Sequence, residues 1–323
     1  SNKKLLYYVY LFLFYLRDYE LSKIFKNYKI HCILIADDRT VANWYISACS
    51  IICKRLNIPI IIPPWANFSG KNRLIRHRMN NAKKFQVYDN IDEENILKTL
   101  QGNFAIYPEP VYKVLKKKNL VSINPFVVGG GVSTSVFTAF EYEKERLINN
   151  GCKEEKIYMS GNPRNDTLFD IYQNRLKIRG EMLINFSFEK DKKIILFNVP
   201  ALYEIEFASL DESLKHLEMI FSILKNSNHN IILSPHPKME MPLYDELIKK
   251  YDLFISEKNI EELVPIVDLY IGFYSTINQW SIMCKVPVII TDFILVDYDM
   301  YDQFKSMKKV LNSIDLQTEI DRF

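Results

Sequence analysis

The 323-residue sequence lacks the glycine-rich motifs that identify many nucleotide-binding proteins. It has only nine glycines, and neither the Gly-x-x-x-x-Gly-Lys signature of a P-loop nor the Gly-x-Gly-x-x-Gly signature of a dinucleotide-binding turn is present. The one glycine run, Gly129 to Gly131, precedes a predicted strand rather than a helix. We expect this run to form a flexible loop that lines a cleft, so a phosphate site has to be built in another way.

Cysteine pairs and excess charge are missing as well. The five cysteines include no Cys-x-x-Cys pair, so we expect no metal site, and we expect no cofactor. An odd, scattered set of cysteines predicts reduced thiols and a cytoplasmic protein. The net charge of only +3 is too balanced for a nucleic-acid partner.

The apolar stretch at residues 5–16 is too short to cross a membrane, because a spanning helix needs about 20 apolar residues. It follows Lys3 and Lys4. With 48% hydrophobic and 25% charged residues, the composition is that of a globular protein. Two interpretations of this stretch stay open. It forms either a helix buried in the first domain or a face that rests peripherally on the inner surface of a membrane.

Strands and helices alternate along the chain in two series. Strands are predicted at residues 31–36, 58–62, 85–88, 104–107, 136–140 and 156–160, and then at 194–198, 230–234, 253–256, 269–272 and 287–290. Alternating β and α elements require parallel sheets that are covered on both faces. We therefore predict an α/β protein with two Rossmann-like domains, 1–170 and 171–323, facing each other across a central cleft.

Polar residues follow four strands of the second series, at residues 200–206, 236–238, 257–258 and 274–276. In such sheets, ligands bind beyond the carboxyl ends of the strands. His236 stands between two prolines after one strand, with Lys238 close by, and Ser275 and Thr276 follow another strand and precede a helix. Together they predict a phosphate site, although Ser275 or Thr276 could act only as a helix cap and Lys238 could be solvated.

The junction between the two series has the sequence Gly-Asn-Pro-Arg-Asn-Asp at residues 161–166. Gly161 ends a short strand, and Pro163 fixes the turn. Asn162 and the planar donor fork of Arg164 are therefore candidates for contacting a nucleotide. Asp166 is predicted to cap the helix that follows.

Three motifs resemble those of GT-B-type transferases of bacterial surface polymer synthesis. They are the segment at 161–166, Ser-Pro-His-Pro-Lys at 234–238, and the stretch at 268–292 that contains Tyr-Ser-Thr. The order and spacing are most similar to CDP-glycerol glycerophosphotransferases. The outline also resembles that of capsule-type transferases and of UDP-N-acetylglucosamine 2-epimerases.

The resemblance implies a GT-B fold and transfer of a sugar or glycerophosphate group. The donor would be CDP-, CMP- or UDP-linked and would bind the second domain. A saccharide or lipid-linked acceptor would bind the first domain. Donor-side candidates are Asn162, Arg164, His236, Lys238, Ser275, Thr276 and Asn278; catalytic candidates are His236 and, as bases on the acceptor side, Asp38 and His77.

Both acceptor-side candidates have plain structural alternatives. Asp38 could cap the helix that follows it, and His77 lies in a strongly basic segment, residues 71–78, that could be a solvated face. The neighbouring Asp37 is a further candidate base.

Two departures from the related families keep other functions open. Epimerases carry a glutamate where this chain has Asn278 and Gln279. Glycerophosphotransferases carry Trp-His-Gly where this chain has Pro-Pro-Trp-Ala at residues 63–66. A UDP-N-acetylhexosamine 2-epimerase and a non-catalytic scaffold of a surface-polymer complex are therefore the alternatives, and self-association of the chain is left open.

Overall fold

The computed structural model of the chain describes residues 2–39, 44–64 and 71–323. The chain forms two compact units, Ser1–Asn162 (unit 1) and Pro163–Phe323 (unit 2). The division falls inside the Gly-Asn-Pro-Arg segment, between Asn162 and Pro163. The Trp-Ala part of the predicted departure at residues 63–66 lies outside the described residues.

Unit 1 is an α/β unit with a parallel main sheet. Its described helices are α1 (Asn2–Asn27), α2 (Trp44–Leu56), α3 (Lys71–Asn80), α4 (Glu109–Lys117) and α5 (Glu141–Asn149). Its described strands are β1 (Ile33–Leu34), β2 (Ile60–Ile62), β3 (Ile96–Thr99), β4 (Gly102–Ala105), β5 (Ser135–Thr138) and β6 (Ile157–Met159). The main sheet has the order β1-β2-β5-β6, and all of its pairs are parallel.

The middle of unit 1 differs from the predicted pattern. Residues 85–88 were expected to form a strand but contribute one isolated bridge, between Gln86 and Phe104. β3 and β4 form an antiparallel hairpin outside the main sheet. Gly102, with φ +128°, permits the tight reversal, since few other residues adopt that conformation. Phe85 is 3% exposed, so it packs into the core instead of extending a sheet.

Helix α1 is buried along one side only. It packs against α2 and α4, where Phe14 is 2% exposed. On the outer side Leu5, Tyr8, Phe12 and Tyr19 are exposed by 55–65%. The prediction of a buried helix is therefore wrong for this outer face. No helix among the described residues is long and apolar enough to span a membrane.

Unit 2 is an α/β unit with a larger sheet, of six strands. Its helices are α6 (Arg164–Gln173), α7 (Arg175–Asn185), α8 (Leu210–Asn226), α9 (Asp245–Tyr251), α10 (Ile260–Leu263), α11 (Ile277–Met283) and α12 (Ser313–Arg322). Its strands are β7 (Ile194–Val199), β8 (Asn230–Pro235), β9 (Phe254–Ile255), β10 (Leu269–Gly272), β11 (Val288–Thr291) and β12 (Met307–Val310).

The six strands form one parallel sheet in the order β12-β11-β10-β7-β8-β9. Every residue of β7 is buried, and separate apolar clusters cover the two faces of the sheet. A continuous apolar strand of this kind is typical of a sheet enclosed on both sides. After β9 the chain crosses over to place β10 on the other side of β7. The strand order therefore reverses between β7 and β10, where ligands of doubly wound sheets bind.

Helix starts follow capping chemistry only in part. Ser209 and Glu212 form a reciprocal capping box at the start of α8, which satisfies two backbone donors. The prediction that Asp166 caps α6 is wrong, because the helix begins at Arg164 and Asp166 lies in its first turn. A carboxylate in the first turn still favours the helix through the macrodipole.

Candidate active site

His236 lies immediately beyond the carboxyl end of β8, next to the central strand of unit 2. Its backbone N–H donates to the carbonyl of Val199 at the end of β7, over 3.0 Å. The backbone N–H of Lys238 donates to His236 Nδ1 over 3.1 Å. Because Nδ1 accepts, the proton of the neutral ring is on Nε2, which can serve as a donor to a ligand.

The environment keeps His236 neutral near pH 7. Burial and the nearby Lys238 ammonium lower the pKa of His236, and Glu204 opposes this shift. Lys238 itself is exposed. Beyond β8 the structure therefore places one neutral donor and one cation, a pair suited to the oxygens of a phosphate group.

Glu204 fixes the loop that carries His236 and Lys238, a function that the sequence alone did not indicate. One of its carboxylate oxygens accepts from the backbone N–H of Glu240 over 3.0 Å and from the Tyr244 hydroxyl over 3.1 Å. Tyr244 is 1% exposed. This carboxylate thus joins the loop after β7 to the loop after β8 and limits the movement of both.

Ser275 and Thr276 form the turn from β10 into α11. Ser275 Oγ accepts from the backbone N–H of Ile277 over 3.3 Å, and the carbonyl of Ser275 accepts from the Tyr301 hydroxyl. The Thr276 side chain makes no capping bond. β8 and β10 flank β7, so strand spacing separates this turn from His236 by about 10 Å. Helix α11 has only seven residues, and the two hydroxyls rather than its dipole are the groups available to a ligand.

Asn278 does not reach the strand ends. Its side chain is fully buried and its amide nitrogen donates to the carbonyl of Phe273 over 3.0 Å. Asn278 therefore stabilises the turn between β10 and α11, instead of making the predicted contact with a ligand.

Arg164 and Asn162 lie on either side of the division between the units. Arg164 opens α6 and is exposed, with its Nε 3.2 Å from Glu261 Oε1. Its guanidinium carbon is 5.8 Å from the centre of the Trp280 ring in α11. The structure thus brings Arg164 next to the helix that follows Ser275 and Thr276. Asn162, partly exposed, is the last residue of unit 1.

Unit 1 has a cavity of about 770 Å³ whose walls come from residues 3–126. Charged and titratable residues line it from α1, from the segment after β1, from α3 and the turn after it, and from the start of α4: Lys3, Asp37, Arg39, His77, Arg78, Lys83, Lys84 and Glu109. This volume accommodates a small-molecule ligand. Of the two predicted acceptor-side residues, His77 lines the cavity and Asp38 is not among its walls.

Asp38 is completely buried, and its carboxylate holds a loop. Oδ1 accepts from the backbone N–H of Gly129 over 2.9 Å, and Oδ2 accepts from those of Gly131 and Ser133 over 3.1 and 3.0 Å. The Ser133 hydroxyl also donates to Oδ2, over 2.6 Å. Because Asp38 is 0% exposed and enclosed by these donors, a substrate hydroxyl cannot reach its carboxylate, so we assign it a structural role.

The glycine run is packed rather than flexible. A Cβ added to Gly130 would lie 2.1 Å from the carbonyl oxygen of Asn124, and one added to Gly131 would lie 2.2 Å from that of Asp38. The expectation of a flexible loop is therefore wrong. Small residues are needed here because neighbouring backbone approaches closely.

Asp37 reaches the cavity that Asp38 does not. Arg39 Nη2 donates to its Oδ2 over 2.6 Å, and the Arg39 Nε donates over 3.0 Å. The Asp37 side chain keeps 36% of its surface exposed. It is therefore a carboxylate, oriented by a cation, on the wall of a ligand-sized cavity.

His77 is held by its neighbour Arg78. Arg78 Nη1 lies 2.7 Å from His77 Nδ1. A guanidinium can only donate, so Nδ1 accepts and the neutral ring carries its proton on Nε2. In this arrangement the neutral His77 ring has no lone pair to accept a substrate proton, which argues against the predicted role as a base.

No group of three His, Cys, Asp or Glu side chains within residues 2–39, 44–64 and 71–323 is arranged to hold a metal ion. The polar groups at the strand ends of unit 2 and on the cavity wall of unit 1 are cations, hydroxyls and carboxylates that do not form such a group.

Two parallel Rossmann-like sheets with polar strand ends define an α/β protein of the GT-B class. Two UDP-GlcNAc 2-epimerase structures share this fold. The one from Neisseria meningitidis, bound to UDP-GlcNAc, has a TM-score of 0.55 and 14% identity and covers 95% of this chain and 71% of that chain. The one from Methanocaldococcus jannaschii, in complex with UDP-GlcNAc and UDP, has a TM-score of 0.54 and 18% identity, with 95% and 72% covered. At these identities the similarity concerns the fold alone, and it confirms the predicted α/β fold of the GT-B class.

The sequence model of the family described as CDP-Glycerol:Poly(glycerophosphate) glycerophosphotransferase matches residues 116–308. The chain belongs to this family, and the predicted resemblance is confirmed. Teichoic acid ribitol-phosphate polymerase TarK of Staphylococcus aureus is 27% identical over 180 residues, which are 51% of this chain and 34% of TarK. The chain therefore spans about a third of the length of the curated relatives it matches.

Proposed function

We propose that the chain is a transferase that moves a glycerophosphate or related polyol-phosphate group from a CDP-linked donor to an acceptor in the synthesis of a cell-surface polymer. The observation that carries this proposal is the family match over residues 116–308. That range includes Arg164, His236 and Ser275, and the last two follow strands at the carboxyl edge of the sheet in unit 2.

The donor diphosphate would bind at this edge of unit 2. His236 Nε2–H and the Lys238 ammonium would stabilise the negative charge that develops on the leaving nucleotide. The hydroxyls of Ser275 and Thr276 would donate to the other phosphate oxygens. Glu204 supports this assignment because it holds the loop of His236 in place before any ligand arrives, and preorganised donors act more strongly than mobile ones.

The acceptor would bind in the cavity of unit 1, with Asp37 as the proton acceptor. The acceptor hydroxyl oxygen would form a bond to the transferred phosphorus while the bond from phosphorus to the oxygen of CMP breaks. The hydroxyl proton would pass to the Asp37 carboxylate, and CMP would leave with the bonding pair. Such a direct displacement needs no covalent enzyme intermediate.

The test is an assay of CMP release from CDP-glycerol and from CDP-ribitol, with and without a polyol-phosphate acceptor. We expect CMP release to depend on the acceptor, together with calorimetric binding of CMP and CDP. Conversion of UDP-GlcNAc to its 2-epimer without an acceptor would instead identify an epimerase. Absence of any nucleotide binding would identify a scaffold, and either result overturns the proposal.

We also propose that the exposed face of α1 rests on the inner surface of a membrane. This face carries Leu5, Tyr8, Phe12 and Tyr19. The same helix has five Lys and Arg against two Asp and Glu residues, a balance that favours anionic lipid headgroups. Such contact would place the transferase near an acceptor that is held at the membrane.

A further inference from the structure

Asp292 is a completely buried carboxylate just beyond the end of β11. Its Oδ1 accepts from the backbone N–H of Val296 over 2.8 Å, and its Oδ2 accepts from that of Asp297 over 2.7 Å. Oδ2 also accepts from the Tyr274 hydroxyl over 2.9 Å. The carboxylate therefore connects the loop after β11 with the turn from β10 into α11.

Tyrosine side chains complete this connection. The Tyr274 hydroxyl donates to Asp292 and accepts from the backbone N–H of Tyr298 over 3.1 Å. Tyr301 is 2% exposed, and its hydroxyl donates to the carbonyl of Ser275. Burial and then the neighbouring Asp292 carboxylate raise the pKa of Tyr274, so its hydroxyl stays protonated at neutral pH and continues to donate. We call Tyr274, Asp292 and Tyr301 the clamp.

The loop held by the clamp contains two residues in the left-handed region that are not glycine. Leu295 has φ +54° and Asp297 has φ +50°, values that are uncommon without glycine. Strained residues persist only where their surroundings fix them, and they are concentrated at functional sites. Burial of the Asp292 carboxylate also costs free energy that its hydrogen bonds have to compensate. The clamp is therefore better explained by what it holds than by a contribution to stability.

The clamp holds the turn whose hydroxyls are the proposed donors to the diphosphate. It contacts this turn twice, at the Tyr274 side chain and at the Ser275 carbonyl. Neither contact uses the hydroxyl of Ser275 or of Thr276, so both hydroxyls can be directed at a ligand while the backbone that carries them stays fixed. Donors that are fixed beforehand bind more strongly than mobile ones, because the ligand does not have to order them.

We propose that Asp292 is a positioning residue of the donor site, which acts through Tyr274 and, together with Tyr301, fixes the turn of Ser275 and Thr276. The proposal rests on the proposed function, in which this turn contacts the donor diphosphate. Because Asp292 is completely buried, it acts without contacting the donor itself. The clamp should therefore govern binding of the phosphate groups and have little effect on binding of the nucleoside.

The experiment compares Tyr274→Phe, Tyr301→Phe and Asp292→Asn with the wild-type chain. Each tyrosine variant keeps the ring and removes one hydroxyl, and these two variants decide the matter if Asp292→Asn does not fold. Tyr112→Phe is the matched control in unit 1. The Tyr112 hydroxyl likewise donates to a carboxylate, that of Asp92, and accepts from a backbone N–H over 3.2 Å. Calorimetric titrations use CDP and, at millimolar concentration, cytidine, which has no phosphate.

We expect each tyrosine variant of the clamp to bind CDP about tenfold more weakly, because the ligand then has to order the turn. Asp292→Asn should weaken CDP binding by about 10- to 100-fold, since it disturbs the loop as well as the turn. The affinity for cytidine should stay unchanged in all three, and Tyr112→Phe should bind both ligands as the wild-type chain does. An unchanged affinity for CDP, or an equal loss for CDP and cytidine, overturns the proposal.

A double-mutant cycle tests whether the clamp acts through the turn. Replacing Ser275 and Thr276 together by Ala removes both hydroxyls and should itself weaken CDP binding. Adding Tyr274→Phe to this variant should then have almost no further effect, because the groups that the clamp positions are already missing. A full further tenfold loss would show that Tyr274 acts on another part of the site, and it also overturns the proposal.

Amide hydrogen exchange separates this proposal from the proposed function, because it needs no ligand. In the free chain, Tyr274→Phe should speed exchange in residues 274–279, and Tyr112→Phe should leave it unchanged. If the wild-type chain does not bind CDP, the proposed function fails; faster exchange in the turn then still supports the clamp, and unchanged exchange overturns it. If CDP binds equally to the wild-type chain and to the clamp variants, the clamp fails and the proposed function stands.

Discussion

The Ser133 hydroxyl donates to the Asp38 carboxylate over 2.6 Å, although the two residues are 95 positions apart in the sequence. Through this bond and three backbone donors, Asp38 joins the end of the first predicted strand region to the loop before β5. A completely buried carboxylate is tolerated because each of these donors compensates for lost hydration.

Replacing Asp38 by Asn should destabilise the protein. The new amide would direct its own N–H groups at donors and leave at least one buried donor without an acceptor. We expect a loss of about 2–4 kcal/mol in the free energy of unfolding, measured by urea titration followed by circular dichroism. Asp37→Asn, one residue away and partly exposed, should cost well under half as much. Equal losses in the two variants would contradict the structural role of Asp38.

His216 should make stability fall at mildly acidic pH. Burial lowers its pKa to about 4 from 6.5, and neither ring nitrogen has a hydrogen-bond partner among the described residues. Below pH 6.5 the unfolded chain binds a proton that the folded chain resists until about pH 4. Stability is therefore present above pH 6.5 and is lost as the pH falls, by about 2 kcal/mol between pH 6.5 and 5.

The measurement for His216 is the free energy of unfolding against pH in the wild-type chain and in His216→Leu. The variant should lose this part of the slope between pH 6.5 and 5. His31→Leu, at an exposed histidine, should follow the wild-type curve. If His216→Leu keeps the full slope, the buried neutral histidine is not its cause.

His236 should contribute through a single N–H donor. His236→Ala should lower kcat of transfer by about 10²- to 10³-fold, the size of effect seen when one donor to a developing charge is removed. His236→Gln, which offers a side-chain N–H, should retain part of the rate. His229→Ala is the matched control, because His229 precedes the amino end of the same strand, β8. Equal rates for His236→Ala and His229→Ala would remove His236 from the donor site.

The outer face of α1 should govern binding to lipid. Phe12 is 65% exposed, so Phe12→Glu should leave stability nearly unchanged and reduce co-sedimentation with anionic phospholipid vesicles several-fold. Leu100→Glu makes a similar change at a fully exposed position in the turn between β3 and β4 and should sediment as the wild-type chain does. If both variants behave alike, the face of α1 has no special part in lipid binding.

The sheet of unit 2 could be predicted closely from the sequence. β10 begins and ends where the apolar run at 269–272 predicts, because a strand enclosed on both faces leaves a continuous apolar signal. β12 and α12 were not predicted from the sequence. β12 has the sequence Met-Lys-Lys-Val, with only Val310 buried, so it has the composition of an exposed edge and carries no such signal.

The site in unit 1 was only partly predictable. Asp37 and Asp38 are neighbours of the same residue type, and only the three-dimensional structure distinguishes the one on the cavity wall from the one inside the loop. Arg78 had a usable signal, since it falls four residues after Leu74 and shares its helical face. It was nevertheless counted with the solvated charges of α3, because burial of an arginine without a carboxylate is uncommon.

The pairing of β7 with β10 has a consequence for biosynthesis. β7 ends at Val199, yet one of its two neighbours in the sheet is not synthesised until Gly272. The pairs of the main sheet in unit 1 are complete once Met159 has been added, and domains generally fold in order as they emerge from the ribosome. During translation, unit 1 can therefore be folded while the most apolar strand of unit 2 still has one open edge. Because the open edge of an apolar strand can pair with another chain, we expect the nascent chain to be most prone to aggregation during that interval.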